Sequence, residues 1–184
     1  MVDHLGLEDD ESLSRWIGDD FRRVFAAYKG PDEFAPVANL QYEGSTYRTP
    51  FGVERHGYGY GMPLNRPLLN ATTVEEIHAY PWPDPAWMDV SHIRDEVLAY
   101  NGEYAILGGD WSPFWHDALD LLTFTNMSYK FYDSPELIDA LLEHIVDYYV
   151  GVSRRVFEAA ADLIDIFFIG NDFYFYLVSS QIYI

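Results

Sequence analysis

The sequence contains no cysteine, which excludes disulfides and thiolate metal sites from it. That absence alone leaves the redox compartment open. Basic residues are scarce: 11 Lys and Arg face 30 Asp and Glu, a formal net charge of -19. A chain this acidic repels phosphate backbones and anionic lipid, so neither nucleic acid nor a membrane surface is expected as a partner. No apolar run approaches the roughly 20 residues that span a bilayer. The opening MVDHLGLEDDE has no basic region and no apolar stretch, so no secretory leader is expected and the cytoplasm is the default compartment. Apolar residues, by contrast, are plentiful. They make up 49% of the chain, and aromatics make up 17%. That is enough to build one domain with a real core in 184 residues and is incompatible with a disordered polymer.

Local signals divide the chain into alternating elements. Glu8 to Ile17 reads as a short helix with Leu13, Trp16 and Ile17 on one side, ended by Gly18. The segment after it, GDDFRRVFAAY, reads as a strand leaving a turn. Residues 30 to 70 are rich in Gly, Pro, Tyr and Asn, and YEGSTYRTPFGVER suits a hairpin. Thr72, Thr73 and Glu76 give a capping-box signature for a helix that the prolines of YPWPDP must stop early. Ser91 is expected to cap a helix running to about Tyr100. EYAILG, ending in GGD, reads as a buried strand, followed by a helix with Ser112 as cap and Pro113 at its first position. Ser134-Pro135 repeats that start. The helix behind it carries a stripe of Leu137, Ile138, Leu141, Leu142, Ile145, Val146 and Tyr149 and continues to about Ala161. Leu163 to Ile169 then suits a strand buried on both faces. Strand, helices, strand is the order of a parallel pair with a helical crossover. The expected fold class is therefore α/β, a barrel or a doubly wound sheet, with ligands at the C-terminal ends of the strands.

Several stretches together resemble the uroporphyrinogen decarboxylase superfamily: LGLEDDESLSRWIGDDFRRV, TPFGVERHG, RPLLNATTVEEIHAYPWPDP, SPELIDALLEHIVDYY and ADLIDIFFIGNDF, in that order over about residues 5 to 173. The resemblance implies a (β/α)8 barrel, a fold of about 250 residues. This chain would then be a partial barrel, incomplete at both ends, over residues 1 to 173. After GNDF the family continues with Gly-Thr-Gln and a further helix. Here the eleven residues from Tyr174 to Ile184 carry no charge and are expected to be a tail unrelated to the family. The superfamily removes carboxylates from the acetate arms of uroporphyrinogen without a cofactor, or transfers methyl groups to and from a corrinoid, usually with zinc. The GNDF motif leans toward the methyltransferase-like branch. The implied partner is thus a tetrapyrrole or corrinoid small molecule. No cofactor is expected within this segment, and zinc and corrinoid belong to the full-length methyltransferase branch.

The resemblance also nominates residues. Asp20 is the positional match to the decarboxylase aspartate that faces pyrrole N–H groups; alternatively Asp19 or Asp20 caps a turn. Asp172, at an acidic position in the methyltransferase-like branch, would sit at the catalytic face or cap a following helix. Asp110 occupies the equivalent place after the earlier strand, as ligand or cap. Trp111 can stack on a macrocycle or belong to the core. Arg22, with Arg23 beside it, can hold substrate carboxylates or pair with Asp19 or Asp20. No two of the six histidines form a metal-ligand spacing in sequence. The glycines of GYGYG lack the strand, helix and lysine of a phosphate loop. A partial barrel would leave apolar faces and parallel edges uncovered, so the chain is expected to self-associate and to be inactive by itself, or at most to serve as a non-catalytic scaffold.

Overall fold

A computed structural model describes residues 2–34, 46–57, 61–100, 102–109 and 112–170. In chain order the elements are α1 (Val2–Leu5), α2 (Asp10–Ile17), β1 (Phe21–Arg23), β2 (Ala27–Tyr28), β3 (Thr46–Arg48), β4 (Glu54–His56), β5 (Met62–Pro63), α3 (Val74–His78), β6 (Met88–Asp89), α4 (Ile93–Ala99), β7 (Ala105–Gly108), α5 (Phe114–Leu122), α6 (Phe124–Asp133), α7 (Pro135–Ala160) and β8 (Ile166–Phe167).

The organising feature is a three-stranded parallel sheet in the order β1-β7-β8. Phe21, Arg22 and Arg23 register with Ala105, Ile106 and Leu107, and Leu107 and Gly108 register with Ile166 and Phe167. The two apolar runs near 105 and 166 therefore lie side by side and point the same way, as the crossover pattern predicts. The fold is mixed α/β; among the described residues the sheet is open rather than closed into a barrel. Two antiparallel ribbons complete the strands. One is β2 with β6, and the other is β3-β4-β5, which contains the hairpin expected around TPFGVER.

Strand alternation gives the sheet two unlike faces. Val24 and Ile106 point into a core with Ile93 and Val97 of α4 and Val156 and Ala160 of α7. The opposite face carries Phe21, Arg23 and Phe25 of the first strand segment, Leu107 of β7 and Ile166 of β8. Phe21, Phe25 and Ile166 there are 47%, 43% and 46% exposed. Among the described residues no helix covers this face. The expectation that Leu163 to Ile169 forms a strand buried on both faces is corrected on this point. The paired strand is shorter, residues 161–163 form a 3-10 turn before it, and Ile169 is exposed.

Helix α7 is the spine. Its 26 residues run about 39 Å at 1.5 Å per residue, long enough to serve two cores. Leu137, Ile138, Leu141, Ile145 and Tyr148 face the larger core, while Val156 and Ala160 face the sheet. Glu136, Asp139, Glu143 and Asp147 remain exposed, as the stripe predicts. The larger core also takes Phe51 and Val53 from the β3–β4 turn, Ile77 of α3, and Ala118, Leu121 and Leu122 of α5.

Several end signals hold. Asp9 caps α2 by accepting the Ser12 N–H at 2.7 Å. Gly18 ends it in the left-handed region at φ 75°, with the Gly18 and Asp19 N–H groups returning to Arg15 and Ser14. Thr73 and Glu76 form the full capping box. Others are corrected. Ser91 does not cap α4: its hydroxyl donates to Asp89, and α4 starts at Ile93. Pro113 rather than Ser112 stands at the cap position of α5. Helix α6 is not foreseen by the periodicity, because only Met127 of its ten residues is buried. The proposed tail from Tyr174 to Ile184 lies outside the described residues.

Candidate functional site

In an open parallel sheet the ends of the strands are the natural place for a ligand, because the crossovers leave a crevice there. The C-terminal rim here is formed by the segments that leave β1, β7 and β8. Two of these stay in contact beyond the strands: Phe168 N–H donates to Gly108 C=O at 2.8 Å, and Ser112 N–H donates to Gly170 C=O at 2.8 Å. Gly109 makes that approach possible. Its φ is +83°, and a Cβ at this position would collide with the Phe168 carbonyl oxygen. A Gly109→Ala variant is expected to lose about 1–3 kcal/mol of stability, from strain plus clash, by urea unfolding.

On the uncovered face at this rim sits Arg23. Its guanidinium lies 5.7 Å from the Phe25 ring centroid and 5.0 Å from that of Phe168. Phe168 follows β8 and Arg23 ends β1, so the side chain reaches across the central strand. A cation flanked by two aromatic rings can hold an anionic group on a flat apolar ligand.

Arg22, one residue earlier, points to the covered face and is 5% exposed. Its Nε donates to Glu11 Oε2 at 2.6 Å, its Nη1 donates to the Asp19 carbonyl at 2.8 Å, and its plane lies 3.7 Å from the Tyr104 centroid. The bond from Arg22 holds the Glu11 carboxyl below its usual range. Arg22 thus fastens α2 to the sheet, and the position facing open space is Arg23. Asp20 is exposed at the other end of the sheet, where its carbonyl accepts the Ala105 N–H at 3.0 Å. Asp19 makes the turn contact, accepting the Phe21 N–H at 2.9 Å. The structure therefore does not bring Asp20 to the rim where Arg23 lies. Asp110, Trp111 and Asp172 lie outside the described residues.

Beside the rim, on the helical side of the sheet, runs a groove of about 790 Å3. Phe114, Val146, Tyr149, Val150, Phe157 and Phe167 supply most of its apolar wall. Phe157 and Phe167 stack at 4.1 Å and close its floor. Tyr149 connects the groove to a residue that sequence reasoning missed. Its hydroxyl donates to Asp117 Oδ2 at 2.5 Å, and Asp117 is 3% exposed. Burial pushes the Asp117 carboxyl up to about 7, against the opposing pull of the Tyr149 bond and the Arg55 charge. A carboxyl with that pKa can hold or release a proton at neutral pH, with Tyr149 as its link to the groove. The available signal was a carboxylate on the Ala118–Leu121–Leu122 side of an amphipathic helix. Asp120 of the same helix receives Arg55 Nε at 2.5 Å, a buried pair that ties β4 to α5.

No family model matches the chain, and no curated protein or solved structure matches it either. Among the described residues no group of three or more His, Asp or Glu side chains could hold a metal ion. No helix among them is long and apolar enough to cross a membrane.

Proposed function

We propose that the chain forms part of an α/β barrel of the uroporphyrinogen decarboxylase superfamily, with a tetrapyrrole as its ligand. Corrinoid-dependent methyl transfer is favoured slightly over porphyrinogen decarboxylation. The observation that carries the reading is the uncovered, aromatic-rich face of a parallel sheet, with Arg23 between Phe25 and Phe168 at its C-terminal rim. Parallel sheets are ordinarily covered on both faces. One bare apolar face and two strand edges are what consecutive staves of an incomplete barrel wall present. The groove along α7 supports the same reading, since a helix following β8 would pack there. The aromatic rings suit a macrocycle, and the guanidinium suits its carboxylate arms.

The test is a titration of the purified chain with coproporphyrin and, separately, with cobalamin, followed by absorbance. Saturable binding of at least one is expected, and Arg23→Glu should weaken coproporphyrin binding by about tenfold or more, the effect of a charge-assisted pair turned repulsive. Neither coproporphyrinogen formation nor methyl transfer is expected from the purified chain, because among the described residues the wall around the rim has three strands. Binding of neither ligand, or equal binding by Arg23→Glu, would contradict the reading.

The bare face also implies self-association, with the chain acting as a scaffold whose uncovered strands seek partners. Light scattering is expected to find species larger than a monomer. Phe21→Glu combined with Ile166→Glu should shift them to monomer without loss of far-ultraviolet helical signal. A monomeric parent chain would count against this part of the proposal.

A further inference from the structure

His78 and His144 stand 66 residues apart in the chain, yet Nδ1 of the first and Nε2 of the second are hydrogen-bonded at 2.9 Å, one of the two nitrogens carrying the shared proton. His78 comes from the last turn of α3 and His144 from the middle of α7. Their rings are nearly perpendicular, at 71°. The ring of His144 is also held from behind. Trp82 lies flat on it, with centroids 4.7 Å apart and planes within 8°. The Trp82 indole is itself fixed by donating Nε1–H to the Ile77 carbonyl at 2.7 Å. His78 is exposed, so its ring can turn.

We propose that His78 and His144 form a two-histidine site for a borderline transition-metal dication, copper(II) foremost. Two imidazole nitrogens converge from separate helices, and imidazole is the ligand that copper, nickel and zinc share. On binding, the shared proton moves to the far nitrogen of its own ring, which frees both facing nitrogens as ligands; with metal–nitrogen bonds of about 2.0–2.1 Å, a 2.9 Å separation subtends roughly 90° at the metal. That is the angle between adjacent positions of a tetragonal site, which copper(II) and nickel(II) favour, and it is narrower than the tetrahedral angle of zinc. Copper(II) also heads the divalent affinity order.

The electrostatic setting agrees. Burial first, and His78 second, lower the pKa of His144. Glu143 and Asp147 oppose that shift, and the same negative charges attract a dication. Glu75 lies one turn before His78 on α3. Because no third imidazole or carboxylate among the described residues completes a protein site, water would fill the remaining positions. The bound ion would link α3 to α7.

Trp82 supplies the readout, since copper(II) quenches an indole held this close to its ligand. Titrating the full chain with copper(II) at neutral pH should give saturable quenching that a chelator reverses. Trp82→Phe should lose most of that change, and His78→Ala and His144→Ala should each abolish the saturable phase, with far-ultraviolet circular dichroism confirming that they fold. Electron paramagnetic resonance of the copper-loaded parent chain needs no variant and should show coupling to two imidazole nitrogens. A spectrum without nitrogen coupling, or quenching unchanged in the double histidine variant, would overturn the proposal.

Discussion

Replacing Phe51 by alanine is expected to lower the unfolding free energy by about 3–5 kcal/mol, the cost of emptying a large aromatic site in a packed core. Phe51 is 1% exposed and sits where the β3–β4 turn meets α7. Its ring meets those of Trp82, Tyr148 and Tyr149 at centroid distances of 6.2, 5.3 and 5.9 Å, edge-on or tilted in each case. Its carbonyl accepts the Tyr80 hydroxyl at 2.6 Å, and burial pushes that phenol up to about 12, so the donor keeps its proton. The Phe51 ring and carbonyl therefore both tie the turn to the core. Domains of this kind are stable by about 5–15 kcal/mol, so the loss would remove a large share of the total. Urea unfolding followed by circular dichroism measures it. A midpoint shift worth less than about 1 kcal/mol would mean that the turn does not anchor the core.

The second large effect is a dependence on pH with an unusual direction. Asp117 is raised from an ordinary carboxyl value to about 7 by burial. The folded state therefore holds a proton on it that the unfolded state has released between about pH 4 and pH 7. Stability from this group is fully present below about pH 4, declines as pH rises to about 7, and stays lost above that. At about 1.4 kcal/mol per pH unit, the loss between pH 5 and pH 8 is about 3 kcal/mol. Asp117→Asn keeps the shape and a partner for Tyr149 but cannot ionise. It is expected to remove this slope and to exceed the parent chain in stability at pH 8 by about 2–4 kcal/mol. Urea titrations of both chains at pH 5 and pH 8 give the comparison. Parallel profiles would show that Asp117 is ionised in the folded protein.

Much of the architecture was legible because it is encoded over short distances. Gly18 ends α2, Thr73 and Glu76 open α3, and the stripe from Leu137 to Tyr149 marks α7, since each signal is complete within a turn or two of chain. The pairing of β7 with β8 followed from two apolar runs separated by helices. Three other features were not legible. Arg22 and Arg23 are adjacent, and which of them faces open space depends on which face α4 and α7 cover. Sequence spacing detects ligands one helical turn apart, so His78 and His144, on different helices, gave no pattern. The run from Leu163 to Ile169 was too apolar to read as an exposed edge. Only the position of β8 in the sheet reveals that.

The proposed barrel wall requires β7 to stand between β1 and β8 with all three strands parallel, and the absence of native cysteine makes that arrangement accessible to disulfide mapping. Cysteine pairs placed on the uncovered face report register, because partners directly opposite oxidise readily and diagonal ones, about 7–8 Å apart, do not. Arg23→Cys with Leu107→Cys, and Leu107→Cys with Ile166→Cys, should both form bonds under mild oxidation, while Phe21→Cys with Leu107→Cys should remain reduced. Oxidation of the Phe21–Leu107 pair in preference to the Arg23–Leu107 pair, or failure of Leu107 to reach Ile166, would contradict the parallel sheet and the proposal built on it.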